Sequence, residues 1–114
     1  MTDSQVVLKA KLDELKELVG AEALSELLQL VMEEIPAKLG ELKAAIIGRD
    51  FEELRKVSHS MKGSCGNLGL EQMMVIFKHL EEISEFPSIQ VAEEMFQKLE
   101  DLYQEILGTL KCYL

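Results

Sequence analysis

Leu24-Ser25-Glu26-Leu27-Leu28-Gln29-Leu30-Val31-Met32-Glu33-Glu34-Ile35-Pro36-Ala37-Lys38-Leu39-Gly40-Glu41-Leu42-Lys43-Ala44-Ala45-Ile46 carries one apolar pattern from end to end. Leu24, Leu27, Leu28, Val31, Ile35, Leu39, Leu42 and Ile46 recur at steps of three and four, the spacing of one face of an α-helix. Pro36 and Gly40 lie inside that pattern. An internal proline removes a backbone hydrogen bond and costs about 3 kcal/mol, so it normally bends or ends a helix. Here the apolar register passes through Pro36 without slipping, which an inserted loop would disrupt. One kinked helix over about 22–47 is therefore predicted.

The same spacing continues on both sides. Leu8, Leu12, Leu15 and Val19 mark a shorter helix over about 4–19, with Gly20 placed to end it in a left-handed conformation. Gly48-Arg49-Asp50 breaks the chain, and Asp50 is a good N-cap with Glu53 three residues on. A third helix over about 51–66 buries Phe51, Leu54, Val57, Ser58, Met61 and Cys65. After Asn67-Leu68-Gly69, a fourth over about 70–85 carries Leu70, Met73, Met74, Phe77, Leu80 and Ile83. Phe86-Pro87-Ser88 forms the last turn, with Ser88 capping a fifth helix over about 89–112. That helix carries Ala92, Met95, Phe96, Leu99, Leu102, Tyr103, Ile106 and Leu110. Amphipathic helices joined by short loops bury their stripes on one another as antiparallel neighbours. The expected fold is all-α: an up-and-down antiparallel four-helix bundle over about 22–112 with a short accessory N-terminal helix, residues 1–114 forming one domain.

Charge narrows the function. With 12 Lys+Arg against 21 Asp+Glu the net charge is −9, which argues against nonspecific nucleic-acid binding. The longest apolar run, Met73 to Phe77, is far short of the roughly 20 residues that span a bilayer. Met1-Thr2-Asp3-Ser4-Gln5 lacks the basic and apolar regions of a signal peptide. Cys65 and Cys112 match no zinc spacing. A cytoplasmic chain with free thiols and no metal or cofactor of its own is expected.

One segment departs from the acidic background. Residues 54–70 hold Arg55, Lys56 and Lys62 and no acid. At about 100° per residue, His59 lies roughly 140° from the centre of the third helix's apolar arc and points outward. Its neighbours one and two turns away are Arg55, Lys56, Lys62, Gly63 and Gly66. Glycine in an exposed helix costs about 1 kcal/mol relative to alanine, so a pair on one face asks for a reason, such as close approach of another macromolecule. Fraying of the last turn accounts for Gly66 better than for Gly63. His79, beside Lys78 on the polar side of the fourth helix, reads as an ordinary surface histidine. The series Gly63, Gly66, Gly69 is not a phosphate loop, because Lys62 precedes the glycines instead of following them.

His59-Ser60-Met61-Lys62-Gly63-Ser64-Cys65-Gly66-Asn67-Leu68-Gly69 resembles the signature of histidine-containing phosphotransfer (HPt) domains, in which His-x-x-Lys-Gly-Ser leads to a second glycine. The likeness in layout extends from Leu39 through Ile83. Two departures stand beside the histidine: Ser58 where alanine is frequent, and Cys65 where serine or alanine is usual, the latter making an oxidisable site conceivable. The resemblance implies that His59 accepts a phosphoryl group from a receiver-domain aspartyl phosphate and passes it to another receiver aspartate. Lys62 would steady the phosphoryl charge. Arg55, Lys56, Gly63, Ser64 and Gly66 would form the face on which receivers of response regulators and of a hybrid histidine kinase dock. Mg²⁺ is expected on the receiver, not on this chain.

Chemistry is compatible with that implication. An ordinary imidazole, with pKa near about 6.5, is largely neutral and nucleophilic at pH 7. Bare cations at Lys62 and Arg55 would favour the neutral ring further and stabilise phosphoryl oxygens. A kinase dimerisation hairpin also presents a histidine, but there an acidic residue and then a proline typically follow, where this chain has Ser60 and Gly63. A phosphate-independent helical adaptor is the main alternative. A monomer is expected, since no second heptad seam is visible.

Overall fold

The computed structural model describes residues 1–68, 70–83 and 85–114, so the parts of the expected turns at Gly69 and Ser84 lie outside the described residues. Five helices follow in order among the described residues: α1 (Asp3–Val19), α2 (Ala21–Ile47), α3 (Phe51–Asn67), α4 (Glu71–Glu82) and α5 (Ile89–Lys111). No strand occurs among them. α2 runs unbroken through Pro36, as the continuous register required. At about 1.5 Å per residue its 27 residues account for most of the 42 Å long axis.

The helix ends follow from local chemistry. Thr2 and Gln5 form a reciprocal capping box at the start of α1, a signal the sequence reading passed over. Asp50 accepts a hydrogen bond from the Glu53 backbone N–H and caps α3, and Ser88 caps α5 through Val91. Gly20, at φ +90°, closes α1 in a conformation that disfavours any side chain. The α2–α3 turn is less comfortable. Gly48 keeps right-handed angles, and it is Arg49 that adopts φ +53°. α4 is shorter than expected: its last helical residue is Glu82, three residues before the expected 85.

α3 packs on both α2 and α4, while α5 packs on α1, α2 and α4, and α1 also meets α2. One core joins all five, with Leu12, Leu24, Leu28, Ile35, Leu42, Phe77, Leu80, Leu99 and Leu110 wholly sealed from solvent. Each such side chain contributes roughly 2 kcal/mol by leaving water. Two stripe assignments need correcting. Val19 and Leu27 are exposed: Val19 is the last residue of α1, and Leu27 sits at the flank of the arc buried by Leu24, Leu28 and Val31.

Candidate functional site

α3 carries the site. Its inner face buries Leu54, Val57, Met61 and Cys65 against the neighbouring helices, which fixes the rotation of the helix. His59 is thereby turned outward, its side chain 65% exposed. Ser58, one residue before it, is fully buried, and its hydroxyl has no hydrogen-bond partner.

The acid that the local sequence lacked arrives from α4. Glu81 Oε1 lies 2.8 Å from His59 Nδ1, and Glu81 Oε2 lies 2.9 Å from Lys62 Nζ. One carboxylate thus joins the histidine and the lysine of the motif, 22 and 19 residues away in sequence. Hydrogen bonding from Lys62, then from His59, holds the Glu81 carboxyl below the usual carboxylate range. Glu81 lies outside the pattern of α3, on which the reading of the motif rests. The available signal was its place on α4, on the helix joined to α3 by a short loop.

The expected halo of bare cations is therefore corrected. Arg55 turns to Glu52, donating from Nε and Nη2. Lys62 is held by Glu81. Two of the three cations near the ring are thus paired, one with a carboxylate from α3's own first turn and one with a carboxylate from α4. Lys56 remains exposed on the same helix. Ser64 is half-buried, with its hydroxyl 3.5 Å from both the Ser60 carbonyl and a Glu34 carboxylate oxygen on α2. Neither contact is short enough to fix it.

The two glycines separate. A Cβ on Gly63 would meet nothing within 4 Å, so packing does not explain its missing side chain. A Cβ on Gly66 would stand 3.2 Å from the Met74 sulfur of α4, so this glycine serves the α3–α4 contact. The suggestion of an oxidisable Cys65 is also corrected. The thiol is buried, and burial, followed by the Glu34 charge, pushes its pKa up to about 12, so almost no thiolate forms. His79 is exposed on α4, in keeping with a surface role.

In a neutral imidazole only one ring nitrogen carries a proton. A carboxylate accepts and cannot donate, so Glu81 fixes that proton on Nδ1 and leaves the lone pair on Nε2. The arrangement is an exposed ring nitrogen with a lysine one helical turn along and an open glycine beside it. No helix is long and apolar enough to cross a membrane among the described residues.

Comparison with curated proteins and with solved structures gives no match. A family model for the Hpt domain matches residues 26–109, taking in all of α3 and α4, nearly all of α5 and all but the first turn of α2. With that match over most of its length, the chain belongs to the Hpt domain family, whose members act in phosphorelays as histidine phosphotransfer intermediates and not as kinases.

Proposed function

We propose that His59 is the phosphoacceptor, taking a phosphoryl group from a receiver-domain aspartyl phosphate and returning it to the aspartate of another receiver. The observation that carries this reading is the exposed His59 ring with Nδ1 on Glu81, which leaves Nε2 as the nucleophile. The Nε2 lone pair forms the P–N bond as the mixed-anhydride P–O bond breaks, and the receiver carboxylate leaves with the electron pair. Lys62 has three ammonium protons; one holds Glu81 and the others serve a phosphoryl oxygen. Arg55, Lys56, Gly63 and Ser64 belong to the docking face in this reading, with Gly66 contributing mainly through its packing on Met74.

α2 to α5 form the up-and-down bundle of the proposal, supported by the closed cycle of contacts α2–α3–α4–α5–α2. The chain works as a cytoplasmic monomer in this reading, with the receivers of response regulators and of a hybrid kinase as partners. Any Mg²⁺ belongs to the receiver. The test is transfer from a phosphorylated receiver to wild type, His59→Gln and His79→Gln. Label on wild type and His79→Gln, but not on His59→Gln, supports the reading. Label on His59→Gln at the wild-type rate refutes it and favours a binding role independent of phosphate.

A further inference from the structure

Glu81 touches the nitrogen that does not react, and its consequence lies on the way out of the phosphorylated state. When Nε2 of a neutral ring forms a P–N bond, the Nδ1 proton stays and the ring becomes an imidazolium. In the return step the P–N bond breaks and its electron pair goes back to Nε2. If Nδ1 has kept its proton, neutral imidazole leaves. If that proton has been lost, imidazolate must leave, which is a far poorer leaving group. An N-phosphorylated imidazolium exposed to water gives up that proton near neutral pH, so what faces Nδ1 decides how transferable the phosphoryl group is.

We propose that Glu81 is a positioning residue that retains the Nδ1 proton of phosphorylated His59 and so keeps the phosphoryl group transferable into the alkaline range. This rests on His59 being the phosphoacceptor. Glu81 Oε1 is already 2.8 Å from Nδ1 in the resting ring, and nothing in the transfer requires that contact to break. The carboxylate side chain is 21% exposed and the ring 65%, so water screens the pair in part. Lys62, on the other oxygen, keeps Glu81 ionised and able to accept. The charged groups around the ring are Arg55, Lys56 and Lys62 on α3 and Glu81 on α4, with Arg55 committed to Glu52 and Glu34 of α2 lying beyond Ser64. Only Glu81 is hydrogen-bonded to the ring among the described residues.

The account predicts opposite effects from the two neighbours. Glu81→Gln removes the negative charge at Nδ1, and Lys62→Gln removes a positive charge near the ring. The full chain and both variants are phosphorylated with phosphoramidate, which transfers its phosphoryl group to Nε2 and releases ammonia. The ³¹P resonance is then followed against pH alongside the rate of P–N cleavage. Glu81→Gln is expected to move the titration midpoint down by about one pH unit, and the fall in cleavage rate with it. Lys62→Gln is expected to move both upward. Far-UV circular dichroism separates these from unfolding, since a damaged fold would not shift the two midpoints in opposite directions. Coincident midpoints in all three proteins, each phosphorylated on His59, overturn the role of Glu81 while leaving His59 as the acceptor. Failure of His59 to take phosphate in any of them overturns the acceptor assignment and this inference together.

Discussion

Ser58 and Arg49 each carry a local cost, Ser58 inside α3 next to His59 and Arg49 in the turn that precedes that helix. The Ser58 hydroxyl is buried without a partner, a situation that costs about 1–3 kcal/mol. Ser58→Ala is expected to raise unfolding free energy by about 1 kcal/mol in urea titration, with phosphotransfer unchanged. Arg49 holds φ +53°, a left-handed conformation costing roughly 1–2 kcal/mol for a residue with a side chain. Arg49→Gly is expected to stabilise by up to about 1 kcal/mol in the same measurement; a loss of stability would mean that the arginine side chain compensates for its backbone. Gly63 poses the opposite case. Nothing surrounds its missing side chain, so Gly63→Ala should stabilise α3 by about 1 kcal/mol, and Gly63→Gln should slow receiver-dependent labelling through bulk beside the ring. The left-handed Arg49 was not legible from composition, because Gly48 stands next to it and is the residue expected to take such angles.

Among the elements, α2 and α3 were readable at both ends and α4 at its start but not at its end. Apolar spacing placed α2 to within a residue of Ala21–Ile47 because twenty-seven residues repeat the helical period many times. α4 has only 12 residues, and its apolar pattern runs on past its end to Ile83, which is buried yet lies just beyond the last helical residue. Periodicity reports burial, and burial continues after the helix stops. Glu81 was hidden for a different reason. Its contacts with His59 and Lys62 depend on the rotation of α4 against α3, a tertiary fact that neither helix encodes alone. Pro36 tests how far α2 matters to the site. Pro36→Ala should regain a backbone bond and raise stability, while transfer by His59, on another helix, stays within twofold of wild type (about 0.4 kcal/mol). A large loss of rate at unchanged stability would show that the proline shapes the docking surface.

For the whole molecule, the acidic balance sets the pH response. Asp13, Glu52 and Glu81 are all held below the usual carboxylate range: Asp13 by the Tyr113 hydroxyl and then Lys9, Glu52 by Arg55, and Glu81 by Lys62 and then His59. Groups depressed in the folded state stabilise it fully above their unfolded values and lose that contribution as pH falls through the folded ones. Thermal midpoints should therefore hold steady down to the ordinary glutamate value of 4.5 and fall below it. A midpoint that rises on acidification would contradict the pairing. The net charge of −9 disfavours self-association, and light scattering should give the mass of one chain, 12.9 kDa, at all concentrations. The proposed function rests on one atom of one residue, Nε2 of His59. Site-resolved mass spectrometry of the chain after incubation with a phosphorylated receiver, under conditions that preserve acid-labile, base-stable phosphate, tests it most directly. Phosphate on His59 and none on His79 is the expected result; phosphate on His79, or none on either histidine while the receiver still binds, would rule out His59 as the acceptor.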